Sequence, residues 1–190
     1  MYADEVKRDD EELVRLAREG DRAAFSALVV RHQNEVFTLA LRLVGDRELA
    51  ADVAQEAFVR GWRALPKFRG DAQFSTWIYR ITVNTASSLR SRAARRRTEP
   101  LDDFTVEPHA DGMSPERAGE IAELRPHIEA ALKVLPGGTR AVVVLKDVYG
   151  WSHPEIAEHL EITVTASKVR LHRGRKRLRV ELWPYLKDTS

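Results

Sequence analysis

Ser152-His153-Pro154-Glu155-Ile156-Ala157-Glu158-His159-Leu160-Glu161-Ile162-Thr163-Val164 decides how the C-terminal part of the chain is read. Ser152 and Glu155 have the spacing of a capping box, in which hydroxyl and carboxylate satisfy the free amides of a helix start. Ile156, Ala157 and Leu160 supply a short buried face. Glu161-Ile162-Thr163 has the length of a tight turn, with Ile162 plugging the interior and Thr163 as N-cap of a second helix from Val164 to about Leu182. On that helix Val164, Leu171 and Leu178 recur at heptad spacing and are expected to dock, while Thr165, Lys168, Val169, His172, Arg173 and Lys176 share another face. The pattern is a helix-turn-helix, one face docking and the other able to enter a major groove. A basic run from Arg170 to Arg179 alone would equally describe a solvated surface helix; capping box, turn and two-sided helix together favour DNA.

Working outward, helical periodicity is found almost everywhere and strand alternation almost nowhere, so the expected fold class is all-α. An acidic helix is expected around Glu11 to Arg18, and Gly20-Asp21 then offers a stop followed by an N-cap. Phe25, Leu28, Val29, Val36, Leu39, Ala40 and Leu43 form one stripe, after which Gly45-Asp46 repeats the stop and cap. A third helix, from Arg47 to about Leu65, carries Leu49, Val53, Ala57, Phe58 and Trp62 and ends at Pro66. A fourth runs from about Phe74 past Leu89 into the cluster Arg90, Arg92, Arg95, Arg96 and Arg97. Between Thr98 and Gly119, Pro100, Asp102, Asp103, Pro108, Asp111 and Pro115 interrupt any apolar face, as in an extended acidic linker. Periodicity resumes with Ile121, Leu124, Ile128, Ala131, Leu132 and Leu135, and Pro136-Gly137-Gly138 closes that helix. Two small helical domains, residues 1–97 and 120–190, are thus expected around a linker at 98–119.

The chain has 190 residues, 43% of them hydrophobic, enough for real cores. Cysteine is absent, which removes disulfides and thiolate zinc sites and fits a reducing compartment. No apolar run approaches a membrane span, and Met1-Tyr2-Ala3-Asp4-Glu5 lacks the parts of a signal peptide, so a cytoplasmic protein without membrane insertion is expected. The net charge of +2 hides segregation, with acids in the N-terminal stretch and the middle and a strongly basic C-terminal helix. His153 and His159 do not share a helix face, His32 and His127 read as surface or hydrogen-bonded residues, and no HExxH pattern, glycine-rich phosphate loop or Ser/His/Asp arrangement occurs. The reading is therefore of no catalysis, no metal and no cofactor.

Phe68-Arg69-Gly70-Asp71-Ala72-Gln73-Phe74-Ser75-Thr76-Trp77-Ile78-Tyr79-Arg80-Ile81, with Asn84 one turn on, is the second informative stretch. It sets Trp, Tyr, Arg and Asn beside a glycine-containing loop, a constellation suited to stacking on and reading unpaired bases. Phe74, Ile78 and Ile81 read as core; Trp77, Tyr79, Arg80 and Asn84 cannot all face one core. Asp52, Gln55 and Glu56 lie on the face away from Leu49 and Val53, and by composition alone they read as a solubilising surface.

These motifs, in this order and spacing, resemble a bacterial RNA polymerase sigma factor of the extracytoplasmic-function (ECF) group. Asp52-Val53-Ala54-Gln55-Glu56-Ala57-Phe58, Phe68-Arg69-Gly70-Asp71, Thr76 to Ile81 and Asn84-Thr85-Ala86 resemble conserved region 2 of that family; Tyr149 to Ser152, Glu155 to Glu158 and Lys168 to Arg175 resemble region 4. The resemblance implies a region 2 helical bundle, a region 4 helix-turn-helix and no intervening middle region. It implies that Asp52, Gln55 and Glu56 bind the clamp of the polymerase largest subunit, with the flap as a further contact of core RNA polymerase. It further implies that Phe68, Arg69, Asp71, Trp77, Tyr79, Arg80 and Asn84 meet the minus-10 element of promoter DNA as it melts. Thr165, Lys168, Val169, Arg170, His172, Arg173 and Arg175 would meet the minus-35 element, Arg170 and Arg175 nearer to phosphate or packing. The Arg90 to Arg97 cluster would sit on phosphate, the acidic linker would thread toward the active-site cleft, and an anti-sigma factor is a further partner the family allows. Two departures stand out: Glu161 occupies the turn where the family usually has glycine, and Thr165-Ala166-Ser167 replaces a glycine-threonine-valine helix start, leaving the register open by a residue. A stand-alone helix-turn-helix regulator would explain only the C-terminal domain, and an adaptor that never touches DNA would leave the recognition-helix arginines unexplained.

Overall fold

Asp9 accepts the Glu12 amide at 2.8 Å and opens the first helix, α1 (Asp10–Arg18), of a computed structural model that describes residues 9–96 and 115–186. Acids in the first turn of α1 and arginines in its last complement the helix dipole. Gly20, at φ 98°, ends the helix in a left-handed turn that glycine adopts without steric cost. Asp21 Oδ1 then takes the amides of Ala23 at 2.8 Å and Ala24 at 3.2 Å to start α2 (Arg22–Val44). α3 (Arg47–Ala64) ends in a single 3-10 turn, Leu65–Lys67, that holds Pro66, and α4 (Phe74–Arg96) follows the loop. The core of this first unit includes Leu13, Leu28, Val36, Ala57, Phe58 and Ile78, with α2 packed on both α1 and α4. Gly61 leaves room for the Ile78 side chain of α4, since a Cβ there would stand 2.9 Å from Ile78 Cδ1.

A second compact unit is built on α8 (Val164–Leu186), against which α5 (Pro115–Val134), α6 (Gly137–Val143) and α7 (His153–His159) all pack. α5 begins at Pro115, ahead of the expected end of the linker at Gly119, because proline fits the first helical position where no amide is needed. The remainder of the expected linker, 98–114, lies outside the described residues, as does Arg97. α6 has no counterpart among the sequence expectations. Pro136 O accepts the amides of Thr139 at 2.8 Å and Arg140 at 2.9 Å, so the Pro-Gly-Gly stop opens a new helix at once. Ala141 to Leu145 are all buried, and a helix end enclosed on every side shows no amphipathic period. It runs on into one π-helical turn, Val144–Val148. Among the described residues there is no strand, and no helix is long and apolar enough to cross a membrane.

The helix-turn-helix forms as read. The Ser152 amide donates to Glu155 Oε2 at 2.8 Å, the Glu155 amide returns to Ser152 Oγ at 3.4 Å, and Thr163 Oγ1 takes the Ala166 amide at 3.1 Å. The docking face is the exception. Val164 is 39% exposed, and the buried row of α8 contains Ser167, Leu171 and Gly174, with Leu178 partly buried one turn on. A Cβ on Gly174 would stand 2.5 Å from Val143 Cγ2 and 3.0 Å from Thr139 Cγ2, so α8 crosses α6 too closely for any side chain there. A search for apolar heptads passes over the serine and glycine that make this crossing possible.

Candidate nucleic-acid interface

In the first unit the loop between the 3-10 turn and α4 is shaped by Gly70, at φ 80°, a left-handed conformation that favours glycine. Arg69, Asp71 and Gln73 are exposed around it. Phe68 is not: it is 8% exposed and its ring lies 4.8 Å from that of Trp77. The ring is thus mostly buried and leaves only an edge toward solvent. Trp77 sits between Phe68 and Phe74, 5.7 Å from the latter, and remains partly open. Tyr79 and Arg80 are half-buried, and the Tyr79 hydroxyl donates to Glu35 Oε2. Asn84 is exposed, whereas Thr82 and Thr85 on either side are buried. A pocket of about 1000 Å³ opens between this loop and α1, lined by Asp10, Val14 and Arg15 and by Phe68, Asp71 and Phe74.

On α3, Val53, Ala57 and Phe58 are buried while Asp52 and Gln55 are exposed, which separates the acid-amide face from the core. Glu56 accepts Arg60 Nε at 2.8 Å, and that hydrogen bond holds its carboxyl below the usual range. Farther along α4, Arg90 is half-buried and Arg92 exposed.

In the second unit Thr165, Lys168, Val169, His172, Arg173 and Lys176 are all exposed on one side of α8. Arg170 is set apart from that face, whereas Arg175 lies one heptad after Lys168 and is exposed but engaged by an acid. Arg170 is half-buried and lies back over α6, its Nη1 3.1 Å from where a Cβ on Gly138 would stand. Arg175 is held by Asp147 in a two-pronged pair, Nε to Oδ2 at 3.0 Å and Nη2 to Oδ1 at 2.5 Å, which keeps it protonated and ties α8 to the π-helical turn. Sequence reasoning missed Asp147 because its partner is 28 positions away. Ser167 is fully buried and meets His153 Nδ1 at 2.9 Å, linking both helices of the motif. Among the described residues no group of His, Cys, Asp or Glu is arranged to hold a metal ion.

Residues 28–96 match the Sigma-70 region 2 family and residues 127–178 match Sigma-70, region 4. The chain is 36% identical to the RNA polymerase sigma-H factor of Pseudomonas aeruginosa, across 96% of this chain and 98% of that protein. It is 34% identical to the ECF RNA polymerase sigma-E factor of Escherichia coli K12, across 94% and 96%. Among solved structures, CnrH in complex with the cytosolic domain of CnrY is 30% identical, covers 95% of this chain and 99% of that one, and superposes with a TM-score of 0.55. The chain belongs to the extracytoplasmic-function sigma factors of RNA polymerase. It is accordingly a transcription initiation factor and not an enzyme.

Proposed function

We propose that this sigma factor joins core RNA polymerase in the cytoplasm and directs it to promoters, the first unit reading and melting the minus-10 element and the second reading the minus-35 element. The observation that carries the division of labour is the presence, in one chain, of a recognition helix with an open basic face and a glycine-turned loop beside a partly open tryptophan. Aromatic stacking contributes about 1–3 kcal/mol per unpaired base with little sequence preference, while polar groups at the same site discriminate. Trp77 suits the first role and Asp71, Arg80 and Asn84 the second; Phe68 supports them, Tyr79 fixes the helix through Glu35, and Arg69, Arg90 and Arg92 suit phosphate. On α8 the base-reading set is Thr165, Lys168, Val169, His172 and Arg173, while Arg170 and Arg175 position the helix. Asp52, Gln55 and Glu56 are the proposed contacts to the clamp of the largest subunit, with the second unit on the flap. CnrH is solved with the cytosolic domain of CnrY bound, so a protein partner is compatible with this fold, and an anti-sigma factor is proposed as one for this chain.

Transcription from a promoter recovered by selection with the holoenzyme tests the reading. Asn84→Ala should impair open-complex formation and leave minus-35 duplex binding unchanged. Arg173→Ala should relax minus-35 specificity by about 1–3 kcal/mol. Equal losses at both elements from either substitution would overturn the division.

A further inference from the structure

His32 of α2 is 7% exposed inside the first unit, and neither the core nor the proposed DNA contacts require an imidazole there. Its Nε2 lies 2.8 Å from Asp10 Oδ2, and because an ionised carboxylate only accepts, Nε2 carries the proton and donates. Asp10 opens α1 and also takes Arg31 Nη1 at 2.6 Å. The opposite ring nitrogen, Nδ1, makes no hydrogen bond and faces Glu35 Oε2 at 3.6 Å, the oxygen that accepts the Tyr79 hydroxyl of α4. The imidazole also lies against the Phe74 ring, 5.3 Å between centroids.

Asp10 and Phe74 both line the pocket formed by α1 and the loop. His32 touches both, one by a hydrogen bond and the other by ring contact. A buried polar ring costs free energy unless it is bonded, so an aliphatic side chain would fill this space at lower cost if packing were all that mattered. What the aliphatic residue could not do is hold the first turn of α1 at a set distance from the loop.

We propose that His32 is a positioning residue: by joining Asp10 of α1 to Phe74, the residue of α4 at which the loop ends, it sets the gap between α1 and the loop, and with it the selectivity for an unpaired base. The inference rests on the reading of that loop as the site of base capture.

The test uses holoenzyme assembled from the full chain and core polymerase. The probes are four fork-junction DNAs of one selected promoter, with A, C, G or T at the unpaired position that the wild type discriminates most strongly. His32→Leu should compress the ratio between the best and worst base about tenfold, the scale of one hydrogen bond to a charged group. His32→Gln, whose amide nitrogen reaches where Nε2 stands, should bring the ratio back to within about threefold of wild type by restoring the donor. Asp10→Ala should behave like His32→Leu, and it keeps the test valid should the leucine variant fail to fold. Core affinity and minus-35 duplex binding should not change. Wild-type discrimination in both His32→Leu and Asp10→Ala would overturn the proposal, as would a glutamine variant as defective as leucine at equal thermal stability. Trp77→Ala and Asp71→Ala separate the two levels. If these loop variants also leave discrimination untouched, the base-capture reading itself fails; if they abolish it while His32 and Asp10 do not matter, only the positioning role fails.

Discussion

Glu161 stands in the turn of the helix-turn-helix at φ 52°, the one non-glycine residue with positive φ among those described. An L side chain in this region crowds the following carbonyl at a cost of about 1–2 kcal/mol, which glycine avoids while giving up more freedom on folding. Glu161→Gly should therefore stabilise the chain by about 0.5–1 kcal/mol, read as a rise in urea midpoint with unchanged slope. His153, beside Ser167, is held below its ordinary value of 6.5 by burial first and then by the cations of Lys146, Lys168 and Arg175. The unfolded chain thus takes up this proton more readily than the folded one. The contribution to stability is fully present above pH 6.5 and is lost as the pH falls through the lowered folded value. His153→Asn, which keeps a polar partner for Ser167, should flatten the fall in urea midpoint on the acid side of 6.5; an unchanged pH profile would sink the assignment.

At the scale of elements, the crossing of α8 over α6 decides which face of the recognition helix is open. The crossing depends on Gly174, whose would-be Cβ meets buried Val143. Gly174→Ala gains about 1 kcal/mol of helix propensity yet should lose about 1–3 kcal/mol by overpacking, so a net loss is expected by urea denaturation together with weaker minus-35 duplex binding. The helices themselves were largely legible in the sequence. α1, α2, α3 and α4 start and stop near the expected residues because their signals are local: Asp9 and Asp21 as caps, Gly20 at positive φ, Pro66 past the end of α3. α6 was not legible. Its apolar residues are buried all round, and the Pro-Gly-Gly that precedes it serves equally to end one helix and to begin another.

For the whole molecule, the division into two compact helical units allows the proposed role of each to be tested separately. Alanine at Asp52, Gln55 and Glu56 together should abolish capture by core polymerase with helical content and stability nearly unchanged, since Asp52 and Gln55 are exposed and the Glu56–Arg60 pair is a solvent-screened surface ion pair. Loss of circular-dichroism signal in that variant would mark the face as structural instead.

Family, helical class and the order of the two regions were settled by the sequence alone, because capping boxes, glycine stops and a motif such as Phe68-Arg69-Gly70-Asp71 act through neighbours within a few residues. Tertiary structure alone decided which members of those motifs remain accessible. Phe68 is buried against Trp77, Arg175 is paired with Asp147, and the docking row of α8 passes through Ser167 and Gly174 rather than Val164. Each outcome depends on a partner far away in the chain, and burial is a property of the packed neighbourhood, which no local period encodes.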